Sequence, residues 1–152
     1  MKDKFIEDKL EEWSKPKPIT LGECFDAIDR LEISDEERKS WLAMDEDEAT
    51  SGAHHGFGTW IRNMWNLWDP ECPLHQHMRL YGIVHADDMS SIIITSYHRS
   101  RNNKPVMLIE QLETYWEHWT EYNKEYLPDH IKETEKMYLD AFKEWQLKTK
   151  TK

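Results

Sequence analysis

The segment that organises this chain is residues 54–63, with the sequence HHGFGTWIRN. Two of the five glycines stand here beside a Phe, a Trp and an Ile, and apolar residues recur as far as Trp68. Apolar side chains on most sides of a helix are typical of a central, buried element. We therefore expect a buried helix that ends before Pro70, with Arg62 and Asn63 as its polar exceptions.

The rest of the chain has the pattern of further helices. Apolar residues recur every three or four positions in residues 2–14, 21–31, 89–97, 108–126 and 131–145, which is the period of an amphipathic helix. The triplet Ile92–Ile94 is also compatible with a strand, but the acidic start and four-residue spacing around it favour a helix. We predict an all-α fold, a single compact multi-helix domain that ends in a hairpin of two long helices.

Local sequence features predict where several helices begin and end. Thr20 and Ser34 are expected N-caps, the second within a capping box. Pro73 suits a first helical turn, and Gly82 is placed to follow a helix end in a left-handed conformation.

Proline-rich breaks divide the chain into three parts. The sequence Lys-Pro-Lys-Pro at residues 15–18 follows the first amphipathic stretch, and proline cannot continue a helix. We predict an N-terminal helical appendage in residues 1–17, a helical core in residues 18–127 and a C-terminal helix in residues 128–152 that packs on the core.

The chain of 152 residues carries a net charge of −10 that is unevenly distributed. Residues 1–50 contain 16 acids and 8 bases, whereas residues 51–105 are nearly neutral with 4 acids and 5 bases. This balance argues against nonspecific nucleic-acid binding, which needs clustered Lys and Arg. An acidic surface serves solubility or docks on a basic patch of a partner.

The cysteine count and the lack of long apolar runs predict a cytoplasmic protein without a membrane span. Cys24 and Cys72 lie far apart and form no disulfide framework, and no signal peptide precedes them. The run Ile92–Ile94 is far shorter than the ~18 residues of a membrane span.

Polar residues concentrated between positions 54 and 101 are the candidate ligand-binding group: His54, His55, Gly56, Gly58, Arg62, Asn63, His85, Asp87, Asp88, His98 and Arg99. One hypothesis is a buried polar network, because Arg62 inside an aromatic helix would need Asp87 or Asp88 as a partner. In this hypothesis His85 caps the next helix, and the glycines allow close helix approach.

Two functional hypotheses compete with the network. Gly56 and Gly58 before a helix, with Arg62 one turn later, suit a phosphate or carboxylate, and the Trp-rich wall suits a stacked base. Alternatively, the histidines and aspartates of the group would hold a divalent ion for hydrolysis. The local sequence Cys72-x-x-His75-x-His77 is zinc-like but lacks a second cysteine pair and a fourth ligand. We predict no metal and no cofactor, and the lack of a complete catalytic motif favours a non-catalytic role.

The ordered string HHGxGxWIRN, followed by GIxHxDDMSxII at residues 82–93, resembles an uncharacterised family of small domains from bacterial and phage genomes. The resemblance covers residues 18–120. In the family pattern a proline often stands where this chain has Ala86, and residues 69–79 are variable. The family has no assigned activity, so the resemblance implies an origin but no chemistry.

Two sets of residues are candidates for a protein interface. The aromatic set is Trp116, Trp119, Tyr122 and Tyr126, and the acidic set is Asp45, Glu46, Asp47 and Glu48. Trp and Tyr are common interface anchors, so the aromatic set predicts a homodimer through the C-terminal hairpin. For the acidic run a solvated helix start is the expected local structure. The leading functional hypothesis is a small acidic regulatory protein that acts through protein–protein contact, such as a phage inhibitor of a host or defence factor.

Overall fold

Helices are the regular secondary structure of residues 17–119 and 128–150, which are the part of the chain that this computed structural model describes. In chain order they are α1 (Leu21–Asp29), α2 (Asp35–Ala43), α3 (Glu46–Ala53), α4 (Phe57–Met64), α5 (Pro73–Arg79), α6 (Ala86–Arg101), α7 (Leu108–Trp119) and α8 (Asp129–Lys150). The predicted all-α fold is confirmed, and the triplet Ile92–Ile94 lies in α6 as expected. In this part of the chain no helix combines the length and apolar content that crossing a membrane requires.

Side-chain caps start the first two helices at the predicted residues. The hydroxyl of Thr20 accepts the N–H of Glu23 at 3.2 Å, and the hydroxyl of Ser34 accepts the N–H of Glu37 at 3.1 Å. These bonds satisfy backbone donors that have no partner within the helix. Farther along, Gly82 has a φ of 81° after α5, which is the left-handed conformation that glycine adopts without steric cost.

The most central helix is α6, not α4. It contacts α1, α3, α4, α5 and α7, and Met89, Ile92 and Ile93 are almost fully buried within it. The predicted buried helix from residue 57 to Trp68 is too long, because α4 ends at Met64. The chain leaves the helix where Asn66 takes a φ of 58°, and Trp68 is consequently 53% exposed.

The C-terminal helices cover one side of this core. Trp116 of α7 is buried and its indole N–H donates to the carbonyl of Tyr81 at 2.7 Å. The carboxylate of Glu135 in α8 accepts the N–H of Ile109 at 3.0 Å, and Ile131 is fully buried. The ring and the N–H of Trp116 are therefore both used inside the protein.

Several predicted features lie outside the described residues. The N-terminal helical appendage falls mostly on residues 1–16, and Tyr122 and Tyr126 fall on residues 120–127. The side chain of Trp119 is also outside this description. The predicted homodimer through the hairpin stays a prediction.

Candidate functional site

Arg62 lies at the centre of the polar residues between positions 54 and 101, and it is only 5% exposed. Its Nε lies 3.2 Å from Oδ1 of Asp87, and its Nη1 donates to Oγ of Ser90 at 2.8 Å. Its Nη2 donates to the carbonyl of His54 and to the hydroxyl of Thr59, both at 3.0 Å. Each guanidinium nitrogen thus has a partner within the protein, which offsets the cost of burying the charge.

These contacts direct Arg62 into the fold and not toward a ligand at the start of α4. They join the C-terminus of α3, helix α4 and the first turns of α6. A Cβ on Gly58 would lie 2.9 Å from Nη1 of Arg62 and 3.3 Å from the carbonyl oxygen of Ala53. Close approach of the Arg62 side chain therefore explains the glycine at position 58.

His85 caps α6, as the network hypothesis expects. Its Nδ1 accepts the N–H of Asp87 at 3.0 Å, while the carboxylate of Asp87 faces Arg62. Burial raises the pKa of Asp88; nearby His85 opposes this shift and Asp87 adds to it. The ring of Trp68 meets the His85 ring edge-on at 5.8 Å. Asp87, Asp88 and His85 form a helix start here, and Asp87 also pairs with Arg62.

The other predicted ligand-binding residues do not converge on one point. His55 and Asn63 are exposed, whereas His98 is buried with its ring edge-on to Trp41 at 4.9 Å. Gly56 precedes α4 with a φ of −100°, and a Cβ there would meet no atom within 4 Å. Neither strain nor close packing accounts for this glycine.

The three side chains of the zinc-like sequence that begins at Cys72 also make contacts with backbone groups of the protein. The thiol of Cys72 donates to the carbonyl of Trp65 at 3.2 Å, and Nδ1 of His75 lies 2.7 Å from the carbonyl oxygen of Leu67. Nε2 of His77 accepts the N–H of Leu21 at 3.2 Å, and burial lowers the pKa of His77. Among residues 17–119 and 128–150, no three His, Cys, Asp or Glu side chains are grouped so that they could hold a metal ion.

The acidic run at residues 45–48 forms the start of α3, but its members differ. Glu46 accepts from Nε and Nη2 of Arg99 at 2.6 and 3.1 Å. The hydrogen bond from Arg99 lowers the pKa of Glu46 against the effect of burial. Asp45, Asp47 and Glu48 are exposed. Three of the four acids thus face solvent as expected, and Glu46 instead ties α3 to α6.

The structure contains an apolar cleft of about 420 Å³. Its lining residues belong to α1, α2, α3, α4 and α6 and to the loops on either side of α2. It is lined by Ile28, Ile33, Glu37, Arg38, Trp41, Met44, Glu48, Ala49, Gly52, Ala53, Phe57 and Tyr97. Its inner residues include the buried Ile28, Ala49 and Tyr97, whereas Ile33 is 36% and Met44 43% exposed. We call this feature the α2–α3 cleft.

Arg38 and Tyr97, two polar residues that line the α2–α3 cleft, are hydrogen-bonded to the protein. Nη1 of Arg38 donates to the Tyr97 hydroxyl at 2.7 Å, and Nη2 donates to the carbonyl of Ile28 at 3.2 Å. The Tyr97 hydroxyl donates to Asp29 at 2.7 Å. Burial and this hydrogen bond raise the pKa of Tyr97, so the phenol stays neutral. The inner surface of the cleft therefore offers mainly apolar contact.

The chain matches the model of a known protein family. A family model for a domain of unknown function, DUF6794, matches residues 17–101, which is more than half of the chain. The chain belongs to this family. No curated protein and no solved structure matches it. The expectation of an uncharacterised domain is confirmed, and the match ends at the last residue of α6.

Both the Arg62 network and the α2–α3 cleft lie within the DUF6794 domain, whereas α7 and α8 follow it. Sequence reasoning found Arg62, Asp87 and His54 of the network but not Ser90 or Thr59. It also missed the cleft, because the residues of the cleft come from ordinary amphipathic stripes on five helices. Ile33 and Met44 were the available signals. Each is a large apolar residue beside acids in a loop next to α2, where burial in the core is not expected.

Proposed function

We propose that this protein is a binding protein that acts through contact with another protein, and that the contact is made at the α2–α3 cleft. The observation that supports this is an apolar concavity with exposed Ile33 and Met44 at its edge and acids around it. Concave apolar surfaces that stay open to solvent are typical of binding sites.

The residues that first suggested chemistry support the fold instead. Arg62 is held by four groups of the protein, and His75 and His77 are engaged by backbone groups. A ligand at the 54–101 group would have to displace those contacts. The open cleft requires no such rearrangement, which favours the binding function over the phosphate-binding or hydrolytic alternative.

The resemblance to bacterial and phage domains suggests what kind of protein the partner is. In such a genome the partner would be a cytoplasmic factor of the host cell or of a defence system, and the contact would inhibit it. Acidity is compatible with this role, since the net charge of −10 favours association with a partner that carries a basic surface.

Gly52 allows a test that blocks the cleft without removing any existing contact. It lines the cleft from α3, and a Cβ added there meets no atom within 4 Å. We expect the Gly52→Trp side chain, which starts in this open space at the lining, to obstruct the cleft. Gly52→Ala changes the backbone in the same way but leaves the cleft open, so it is the matched control.

The experiment is affinity capture from a lysate of the source cell with wild type, Gly52→Ala and Gly52→Trp as baits, each first shown to be folded. Bound proteins are quantified by mass spectrometry. We expect a specific protein to be captured by wild type and by Gly52→Ala, and to be lost with Gly52→Trp. Identical capture by all three baits would refute binding at the cleft.

A further inference from the structure

We infer that the α2–α3 cleft receives a basic amphipathic segment of the partner, with one large apolar side chain inserted and Lys or Arg side chains against the acidic border. This inference rests on the proposed function and adds the chemistry of the bound segment. It comes from the combination of an apolar interior with a border in which acids outnumber bases.

The interior suits a single bulky anchor. A volume of about 420 Å³ is at the smaller end of ligand pockets, which hold roughly 300–1,000 Å³. Trp41, Phe57 and Tyr97 supply aromatic walls, and the flexible Met44 at the edge can adapt to the shape of an inserted group. Large aromatic or aliphatic anchors that fill such pockets carry most of the energy of a protein interface.

The border is acidic. Residues 32–48 contain eight acids and two bases. Glu37 and Glu48 line the cleft itself, and the neighbouring Asp35, Asp45 and Asp47 are exposed. A cationic segment is attracted to this border and an anionic one is repelled.

The one base that lines the cleft does not change this balance for a ligand. The guanidinium of Arg38 donates inward, to the Tyr97 hydroxyl and to the carbonyls of Ile28 and Leu31. Nη1 and Nη2 are therefore used to join α2 to α1 and α6. An incoming carboxylate would meet Glu37 and Glu48 and a guanidinium whose terminal nitrogens already bond to the protein.

Charge also argues against two other occupants. A fatty acid fits the apolar interior, but its carboxylate would lie among the acids of the border. A second copy of this chain would bring another net charge of −10 and the same acidic surface, and like charges at close range are unfavourable. A basic amphipathic segment matches both the interior and the border.

The test is fluorescence anisotropy with three labelled synthetic peptides of about 16 residues, long enough to form a helix on binding. The first carries Leu and Trp at helical spacing with Lys elsewhere. The second replaces Lys by Glu, and the third keeps Lys but replaces Leu and Trp by Ser. Each is titrated with wild type, Gly52→Ala and Gly52→Trp at low and high NaCl concentration.

We expect the Lys/Leu/Trp peptide to bind wild type and Gly52→Ala, and to bind Gly52→Trp at least about tenfold more weakly, a loss of ~1.4 kcal/mol. High salt should weaken the binding, since border charges are screened. A Glu37→Gln/Glu48→Gln variant should bind several-fold more weakly. Glu133→Gln/Glu144→Gln, which removes the same charge from exposed positions of α8, is the control and should bind like wild type.

Four results would overturn the inference. Equal binding of the Glu peptide would show that charge plays no part, and equal binding of the Ser peptide would show that the apolar anchor plays none. Unchanged binding by Gly52→Trp would place the peptide elsewhere. Self-association of wild type that Gly52→Trp abolishes in sedimentation would identify a second copy as the occupant.

The inference and the proposed function can fail separately. Suppose that Gly52→Trp no longer captures a cellular protein that wild type captures, but that the three peptides bind every variant equally. The proposed binding function then stands, and the inference of a basic segment is wrong. If neither capture nor peptide binding depends on Gly52, both are wrong.

Discussion

The two ends of α6 use polar residues in opposite ways. At its N-terminal end, Asp87 and Ser90 hold the buried Arg62, and each guanidinium nitrogen is satisfied. At its C-terminal end, Tyr97 lies in the wall of a cleft whose interior is apolar and open. The polar residues that stand out in the sequence thus mark a packing constraint, while a binding surface arises from residues that look ordinary. Variants at the two ends should therefore affect different properties.

The largest expected effect is the loss of stability on changing Arg62. Arg62→Ala removes a buried side chain that bonds to Asp87, Ser90 and the His54 carbonyl. The lost hydrogen bonds and the cavity should together cost about 2–3 kcal/mol. Urea unfolding followed by circular dichroism measures this. Arg62→Lys keeps the charge but cannot make the same set of contacts, so its loss should be smaller. An unfolding midpoint of Arg62→Ala equal to that of wild type would contradict the network.

The next largest effect is the change in stability when Gly58 or Gly52 is replaced by Ala. We expect Gly58→Ala, beside Arg62, to lower the stability and Gly52→Ala, beside the cleft, to raise it. Gly58→Ala places a Cβ 2.9 Å from Nη1 of Arg62. That nitrogen is held by Ser90, so the overlap should cost about 1–3 kcal/mol. Gly52→Ala beside the cleft meets no atom within 4 Å and should gain up to ~1 kcal/mol from helix propensity. Thermal denaturation of both variants tests this, and two shifts of the same sign would contradict it.

The smallest effect concerns the ion pair that holds α3, one wall of the cleft, against α6. The pKa of Glu46 is lowered in the folded protein from its ordinary value of 4.5. Its contribution to stability is therefore fully present above pH 4.5 and is lost as the pH falls through the lowered pKa. Glu46→Gln should be less stable by about 1 kcal/mol near neutral pH, and the difference should shrink as the pH falls through the lowered pKa of Glu46.

Urea unfolding at several pH values checks the Glu46 prediction. The exposed Glu133→Gln of α8 is the control and should stay close to wild type throughout. A difference between Glu46→Gln and wild type that grows toward low pH would contradict the assigned ion pair.

Features set by local chemistry could be predicted from the sequence. Thr20, Ser34 and His85 cap helices because their side chains accept backbone N–H groups a few residues later. The partner of Arg62 could also be predicted, because a buried guanidinium requires an acid and Asp87 was one of the two candidate acids.

Features set by the relative placement of helices could not be predicted. The burial of Trp116 depends on where α7 meets the Tyr81 carbonyl, and the end of α4 depends on the left-handed Asn66. The cleft exists because residues from five packed helices, α1, α2, α3, α4 and α6, leave a space between them. Apolar spacing within each helix carries no information about that separation.

The most direct test of whether binding occurs at the cleft or at the 54–101 group is one titration with two matched variants. The affinity of the Lys/Leu/Trp peptide is measured for Gly52→Trp and for His55→Ala/Asn63→Ala, which changes two exposed members of the group. We predict that Gly52→Trp loses at least about tenfold in affinity while the double variant binds like wild type. Loss of binding in the double variant with full binding by Gly52→Trp would contradict this account.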